Sequence, residues 1–363
     1  MLQYRVGILG ATGMVGQRFT LLLKDHPWFR VTCVAASARS AGKTYAEAVA
    51  GRWAFKDTPI PEAIAHLTVL DASDVEAVAQ KVDFVFCAVD MKKEEIRDLE
   101  ERYARAEVPV ISNNSAHRHT PDVPMLIPDL NGGHARIIEA QRKRLGTRVG
   151  FIAVKPNCSI QSYVPALWPL MGYMPQEVTV CTYQAISGAG KTFDTWPEMV
   201  DNVIPYIGGE DEKSEREPLK IFGYIEGDRI VDAPFPVISA QCLRVPVADG
   251  HMAAVSVRFR QRPTREDILI KWDHFNSEIS GLNLPSAPKK LLHYFDDPAR
   301  PQTRLDRDLE GGMAICIGRL REDPVMSYKF VCLSHNTLRG AAGGGVLTAE
   351  YLCKLGYIPT RNA

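Results

Sequence analysis

The chain has 363 residues, 45% of them hydrophobic and 24% charged, which is ordinary for a soluble globular protein and long enough to favour two domains. The 43 Lys and Arg residues balance the 43 Asp and Glu residues, so no basic field favours nucleic acid or an anionic membrane surface. No apolar stretch reaches the ~18 residues that a membrane-spanning helix needs.

The first 115 residues alternate between strand-like and helix-like segments. The run at residues 82–90 is apolar almost throughout, as expected for a strand that is covered on both faces. Such alternation predicts an α/β domain with a parallel, Rossmann-like sheet. The predicted strands lie at residues 4–10, 31–37, 82–90 and 108–112, and the predicted helices at 15–26 and 92–107.

A glycine loop lies between the first predicted strand and the first predicted helix. Its glycines follow the pattern G-x-x-G-x-x-G from Gly10 to Gly16. Such glycines let the backbone approach a pyrophosphate, and the following helix N terminus offers amide N–H groups to it. The loop therefore predicts a dinucleotide site, with Gly10, Thr12, Gly13, Met14 and Val15 as candidate ligands.

The end of the second strand distinguishes NAD from NADP. An NAD site usually has an acidic residue there, and residues 35–43 contain none. Hydroxyls and cations are instead available for a 2′-phosphate, from Ser37, Arg39, Ser40 and Lys43, which predicts NADP(H) as the cofactor. The alternative is that Arg39 and Lys43 are ordinary surface cations of a loop.

Beyond about residue 155 the pattern changes to long, widely spaced β-rich runs with polar alternation. They predict a mixed or antiparallel sheet in a second, α+β domain. A glycine-rich segment then leads into a last helix within residues 340–357. The β-rich runs lie at residues 177–187, 252–260, 313–320 and 327–334.

The eight cysteines are scattered, and none forms a C-x-x-C motif. Cys33, Cys87, Cys181 and Cys332 lie in strand-like apolar runs. This distribution predicts reduced thiols in a cytoplasmic protein, without a disulfide framework and without a metal site. The N-terminal segment lacks the charged and apolar regions of a signal peptide, in agreement with that location.

Cys158 follows a Pro-Asn pair and precedes an apolar run. A free cysteine is most often a small core residue, but a thiol at a helix N terminus has its pKa lowered by the helix dipole and becomes a nucleophile. Pro165 and Pro169 predict that any helix here is short or kinked. His251, just before a predicted strand, is a candidate base, and the alternative is an exposed loop histidine.

Five motifs then occur in one order along the chain: GATGMVG, PNCS, QAISGAG, RVPVADGH and HNTLRGAAGG. Together they resemble the aspartate-β-semialdehyde dehydrogenases, in the branch found in archaea and fungi. Residues 200–213 resemble that branch specifically, and the resemblance spans essentially the whole chain.

The resemblance implies a role for individual residues. Cys158 matches the nucleophile, and His251 matches the general acid/base. Gln184 matches the residue that orients the acyl intermediate, and Arg244 matches the residue that binds the substrate α-carboxylate. The remaining matches are Glu217 for the substrate amine, Lys220 and Arg118 for phosphate, and Ser187, Gly188 and Asn336 for the nicotinamide half of the cofactor.

Two points stay open within the resemblance. Residues 210–217 are also typical of a solvated charged helix, and Glu210 or Lys213 could take the roles given to Glu217 and Lys220. Lys155 stands where Asn is commoner in the family, and the pair Ile160–Gln161 replaces small residues, so the surroundings of the nucleophile differ from the family pattern.

The implied activity is NADPH-dependent reduction of L-aspartyl-4-phosphate to L-aspartate-4-semialdehyde through a cysteine thioester, in the biosynthesis of lysine, threonine, methionine and isoleucine. The implied partners are this small-molecule substrate, inorganic phosphate and a second copy of the chain, as a homodimer or homotetramer. The alternatives are N-acetyl-glutamyl-phosphate reductase, a malonyl-CoA reductase-like enzyme and an inactive NADP-binding protein. Residues 1–155 with 337–363 would form the cofactor domain, and 156–336 the catalytic and dimerisation domain.

Overall fold

The first part of the chain builds a six-stranded sheet in which every paired strand runs parallel to its neighbours. The computed structural model describes residues 3–360; residues 1–2 and 361–363 of the predicted cofactor domain lie outside this range. The elements in chain order are β1 (Tyr4–Leu9), α1 (Met14–Leu23), β2 (Phe29–Ala36), α2 (Tyr45–Val49), α3 (Glu62–Ala65), β3 (Val69–Asp71), α4 (Val75–Ala79), β4 (Phe84–Cys87), α5 (Lys93–Arg105), β5 (Val110–Ser112), α6 (Pro128–Asn131), α7 (Ile138–Leu145) and β6 (Ile152–Val154).

The strand order of this sheet is β3-β2-β1-β4-β5-β6, the doubly wound order of dinucleotide-binding domains. All four predicted strands and both predicted helices are present. β4 is shorter than the predicted run because only four residues pair with neighbouring strands, and β3 and β6 were not predicted from the sequence.

The second part of the chain builds a mixed six-stranded sheet with the order β10-β7-β11-β14-β13-β12. This confirms the predicted mixed sheet. Its elements and the small ones around it are α8 (Val164–Leu167), β7 (Pro175–Gln184), α9 (Glu210–Ile221), β8 (Tyr224–Glu226), β9 (Arg229–Val231), β10 (Val237–Arg244), β11 (His251–Phe259), α10 (Arg265–Asp273), β12 (Leu292–Phe295), α11 (Thr303–Asp306), α12 (Leu309–Gly312), β13 (Ile315–Glu322), β14 (Tyr328–Ser334) and α13 (Gly343–Lys354).

Short 3₁₀ and π helices fill several connections between these elements. The two that matter most for the site flank Cys158 in space: a 3₁₀ turn directly after it and a π-helix that leads into α13. No helix among residues 3–360 has the length and apolarity to cross a membrane. The 3₁₀ helices are Gly132–Ile137, Ile160–Ser162, Trp168–Tyr173, Ile186–Ala189 and Pro197–Met199, and the π-helix is Leu338–Ala342.

The chain returns to the first sheet at its end. On α13, Val346 and Leu347 pack in the same apolar cluster as Phe19 and Phe86 of the first part of the chain. A second apolar cluster spans both sheets, because it includes residues of β4 and β5 as well as of β7 and β11. The two sheets therefore share a continuous core, and α13 packs on the first sheet.

A buried ion pair fixes the segment that leads into α13. Arg339 on the π-helix donates from Nη2 to the Oδ2 atom of Asp129 on α6 over 2.6 Å, and both side chains are 1% exposed. Removing one partner of such a pair leaves an uncompensated buried charge, which is costly.

We expect Asp129→Ala to lower the free energy of unfolding by about 3–5 kcal/mol, because Arg339 then stays buried without a counter-charge. Denaturant titration followed by circular dichroism measures the effect. Glu226→Ala, which breaks an exposed ion pair with Arg229, is the matched control and should leave the midpoint unchanged. Equal midpoints for the two variants would contradict this prediction.

Candidate active site

Cys158 lies in a short turn beyond the carboxyl end of β6. The Oδ1 atom of Asn157 accepts hydrogen bonds from the backbone N–H and the hydroxyl of Ser159, at 2.8 and 2.7 Å, and these bonds fix the turn. The helix that follows is broken: a three-residue 3₁₀ turn is followed by the four residues of α8. This confirms the short helix predicted from the two prolines.

The structure brings Cys158 and His251 into contact. The Sγ atom of Cys158 lies 3.4 Å from Nε2 of His251, which is the first residue of β11 and is fully buried. The alternative of an exposed loop histidine is therefore wrong. On the other side of the ring, the amide N–H of Ala185 donates to Nδ1 over 3.0 Å, so the neutral imidazole carries its proton on Nε2, pointing at the sulfur.

The electrostatics of this pair follow from burial. Burial, and then the charge of Arg244, lower the pKa of His251 to about 3, so the ring is uncharged near neutral pH. Cys158 retains some exposure, yet burial and then Glu210 raise the pKa of its thiol. The expected lowering by a helix dipole is wrong because no long helix begins here. Three cations oppose the rise in pKa: Lys155, Arg118 and Arg244.

Gln184 and Arg244 end two neighbouring strands, β7 and β10, and pair directly with each other. Gln184 donates from Nε2 to Glu210 over 3.2 Å, and Arg244 donates from Nη1 to the carbonyl of Ala185 over 2.7 Å. A Cβ atom on Gly188 would lie 2.8 Å from Nη1 of Arg244 and 3.0 Å from Nε2 of His251. Glycine at this position therefore keeps free the space beside both side chains.

Asn336 connects two loops of the site. Its Oδ1 atom accepts from the amide of Gly250 over 2.8 Å, and its Nδ2 atom donates to the Ser187 hydroxyl over 2.9 Å. The three residues predicted for the nicotinamide half, Ser187, Gly188 and Asn336, thus lie together next to His251.

α9 presents two carboxylates to the turn that carries Cys158. Glu217 accepts from the backbone N–H of Asn157 over 2.6 Å and from Nη1 of Arg118 over 2.8 Å. Glu210, two turns earlier, accepts from the Asn157 side chain at 3.0 and 3.1 Å. Both carboxylates are buried and hydrogen-bonded, so this helix is not merely a solvated charged face.

The two lysines of α9 have different surroundings. Nζ of Lys220 donates to the carbonyls of Arg118, Thr120 and Val123 at 2.8, 2.8 and 2.9 Å, which uses all three of its N–H groups. Burial lowers the pKa of Lys220 to about 8. Lys213, in contrast, is partly exposed and contacts Glu210 over 2.7 Å. The geometry thus favours Glu210 and Lys213 over Glu217 and Lys220 as groups that reach a ligand.

The glycine loop fits a dinucleotide. Gly10 has a φ of +78°, and a Cβ atom there would lie 2.3 Å from the carbonyl oxygen of Ala88. Within the described part of the chain, no side chain caps the N terminus of α1, so the amides of Met14 and Val15 in its first turn can receive a phosphate.

A cavity of about 450 Å³ opens beside this loop, within the size range of ligand sites. Ser40 does not line the cavity but accepts a hydrogen bond from Nη2 of Arg52 over 3.1 Å. Arg52 itself lines the cavity and was not predicted, because its place depends on the fold of the loop after α2. The predicted residues that line the cavity are Gly10, Thr12, Gly13, Ser37 and Arg39.

Comparisons with known proteins agree with this geometry. The model of the semialdehyde dehydrogenase NAD binding domain matches residues 5–138, and that of the semialdehyde dehydrogenase dimerisation domain matches residues 167–339. Aspartate-semialdehyde dehydrogenase of Archaeoglobus fulgidus is 42% identical over 97% of this chain and 99% of its own length. The chain belongs to the aspartate-semialdehyde dehydrogenase family. The relative from Aspergillus fumigatus is 40% identical over 98% of both chains.

A solved structure from the same family shows the same fold. The crystal structure of aspartate-semialdehyde dehydrogenase with NADP from Candida albicans has a TM-score of 0.88 at 37% identity, over 98% of this chain and 100% of that one. Family membership confirms the predicted resemblance and the α/β fold with a dinucleotide-binding and a dimerisation part. The roles of single residues stay predictions.

We expect the His251 ring to stay neutral, with its proton on Nε2, from about pH 8 down to about pH 5. Nitrogen NMR of histidine-labelled protein measures this, and His251→Gln identifies the signal. The pKa of His251 in the folded protein, about 3, lies below its ordinary value of 6.5, so the unfolded chain binds more protons between pH 3 and pH 6.5. The contribution of neutral His251 to stability is therefore lost as pH falls through 6.5 towards 3. A titration centred near 6.5 would contradict the assignment.

Proposed function

We propose that the chain catalyses the reversible, NADPH-dependent reductive dephosphorylation of L-aspartyl-4-phosphate to L-aspartate-4-semialdehyde. This reaction serves the biosynthesis of lysine, threonine, methionine and isoleucine. The observation that carries the proposal is the contact of 3.4 Å between the Cys158 sulfur and Nε2 of His251, which joins the PNCS and RVPVADGH motifs. The names of the curated relatives support the substrate.

The thiolate of Cys158 attacks the C4 carbonyl of the acyl phosphate. A carbon–sulfur bond forms, the carbon–oxygen bond to phosphate breaks, and a thioester remains on the enzyme. NADPH, when bound beside the glycine loop, supplies the hydride that reduces this thioester. The reduced tetrahedral carbon then re-forms its C=O bond, the carbon–sulfur bond breaks, and the electron pair of that bond goes to sulfur. The Nε2–H group of His251 donates a hydrogen bond to the departing thiolate.

Charged side chains around Cys158 would orient the substrate. Arg244 spends one N–H on Ala185 and can place its remaining N–H groups on the α-carboxylate. For the amine we favour Glu210, which contacts Gln184 and lies at the site. For phosphate we favour Lys213, because Lys220 has no N–H group left to donate. Arg118, whose Nη1 atom donates to Glu217, remains the predicted second phosphate ligand.

The cofactor is NADP(H) in this proposal. Ser37 and Arg39 line the cavity beside the glycine loop, where the adenine ribose would lie, and a guanidinium matches the geometry of a 2′-phosphate. Arg52 adds a second cation there through its bond to Ser40. The NADP complex of the Candida albicans relative supports the same cofactor.

We further propose a cytoplasmic enzyme with the domain division predicted from the sequence. All eight cysteines are free thiols, as expected in a reducing compartment. The division at residue 155, with residues 337–363 joining the cofactor domain, is supported by the packing of α13 on the first sheet.

We expect the wild-type protein to reduce NADP⁺ with L-aspartate-4-semialdehyde only when phosphate is present, followed by nicotinamide absorbance. Cys158→Ala should lose roughly 10⁴-fold or more of this rate while still binding NADP⁺, because the nucleophile is gone. Cys33→Ala, which changes a buried thiol outside the site, is the control.

Three other outcomes would overturn parts of the proposal. Turnover by Cys158→Ala would exclude the thioester route. Wild-type turnover of malonyl-CoA or N-acetyl-glutamyl phosphate in place of the semialdehyde would assign the chain to another acyl reductase. Binding of NADP⁺ without any turnover would make it an inactive cofactor-binding protein.

The outer face of the mixed sheet is the proposed contact between copies of the chain. It carries a groove of about 600 Å³ lined by residues of β7, β10, β11 and β14, including Thr179, Cys181, Gln241 and Ala254. The match of this part to a dimerisation domain supports a homo-oligomer. We propose a homodimer as the basic unit, whether or not two dimers pair to a tetramer.

We expect Ala254→Arg, in the middle of this face, to convert the oligomer to monomers, because a large charge there has no partner in a flat sheet contact. Light scattering after size-exclusion chromatography measures the mass. Gln80→Arg, on an exposed part of the cofactor domain, should leave the mass unchanged. An unchanged mass for Ala254→Arg would place the contact on another surface.

A further inference from the structure

Lys155 is a buried cation that the mechanism above does not use. It follows β6 directly, its side chain is enclosed, and the residue is 2% exposed. Nζ donates to the carbonyl of Pro156 over 2.9 Å. Among residues 3–360, this carbonyl is the one acceptor for its three N–H groups. No carboxylate of the described residues lies within ion-pair distance of it.

Lys155 and Cys158 pack against one face of the segment that enters α13. A Cβ atom on Gly340 would lie 3.0 Å from Cβ of Cys158, and one on Gly344 would lie 3.3 Å from Cδ of Lys155. Residues four apart are neighbours on a helical face. The lysine stem and the cysteine therefore pack against the same helical face, and Nζ is held by the carbonyl of Pro156, which lies between them in the chain.

Except for Arg244, the other charges that face this pair are matched by ion pairs. Arg118, on the segment after β5, is paired with Glu217 on α9, and Arg339 on the π-helix is paired with Asp129. Glu210 and Arg244 also face Cys158: the first is paired with Lys213 and the second contacts Ala185. His251 is uncharged and contributes only its Nε2–H group. Because the proposed function assigns Arg244 to the substrate α-carboxylate, Lys155 is the cation that remains for an anion on the sulfur.

We propose that the Lys155 ammonium is the counter-ion of the Cys158 thiolate. When the S–H bond breaks, the proton passes to water at the partly exposed sulfur, and the charge of the Lys155 ammonium stabilises the thiolate that remains. His251 donates its Nε2–H to the same sulfur. Lys155 is thus a positioning residue that acts through Cys158, and the inference rests on the proposed function only in taking Cys158 as the nucleophile.

The pKa shifts agree with this arrangement. Burial lowers the pKa of Lys155 to about 7, and the charge of Cys158 is the largest influence that raises it again. In return, the charge of Lys155 lowers the pKa of the buried Cys158 thiol. An ammonium and a thiolate that each favour the charged form of the other titrate as a pair.

The test is the pH dependence of Cys158 alkylation by iodoacetamide in the whole protein, without substrate, quantified on the Cys158 peptide by mass spectrometry. Lys155→Met should slow alkylation about 10-fold near neutral pH and move its midpoint up by about one pH unit or more. Lys155→Arg keeps the charge and should stay closer to the wild type. Added N-acetylcysteine, a free thiol with an ordinary pKa, is the reference in the same reaction.

An unchanged midpoint in folded Lys155→Met would overturn the proposal. If that variant does not fold, Lys155→Gln takes its place with the same expectation. In turnover of L-aspartate-4-semialdehyde, loss of the cation should lower kcat about 10-fold near neutral pH with KM unchanged, and the loss should shrink as pH rises. A loss that is equal at every pH would show a structural role instead and overturn the proposal.

Failure of the proposed function would have a different signature. A wild-type protein that does not turn over the semialdehyde, yet shows the Lys155-dependent alkylation midpoint, would keep the pairing of Lys155 with Cys158 and reject only the substrate. The alkylation measurement therefore separates the two proposals.

Discussion

The hydrogen bond from the amide of Ala185 to Nδ1 of His251 is the constraint on which the chemistry of the site depends. A backbone N–H cannot be rotated away or titrated, so it holds the ring in one tautomer and opposes a second proton. His251 is consequently a hydrogen-bond donor to the sulfur and not an ion. The negative charge of a thiolate must then be balanced by another side chain, which gives the buried cations around Cys158 their importance.

The same neighbourhood shows how several buried charges coexist. Each carboxylate of α9 near the nucleophile has its own cation and one further donor from Asn157, so its burial is compensated. Asn157, directly before Cys158, thereby connects the turn that carries Cys158 to α9 through both its backbone and its side chain. The shape of the site is set by these bonds, between residues far apart in the chain, more than by any local element.

Much of this arrangement could be predicted from the sequence, and the exceptions have physical reasons. The glycine loop, the doubly wound first part and the mixed sheet follow from local patterns, and the family motifs brought Cys158, Gln184, Arg244 and His251 together. β3 and β6 were missed because three residues are too few to show a periodicity. The surroundings of Lys220 depend on three carbonyls about a hundred positions earlier in the chain, which no local pattern reveals.

The glycines at 340 and 344, against which Cys158 and Lys155 rest, belong to the part of the chain that the ribosome makes last among the site residues. A growing chain contains the residues of β1 to β6 and the turn with Cys158 before residues 340–344 are made. Until then, Cys158 and Lys155 lack the helical face against which both of them pack. If Lys155 stabilises the Cys158 thiolate as proposed, a nascent chain carries an ordinary thiol until this helical face has formed.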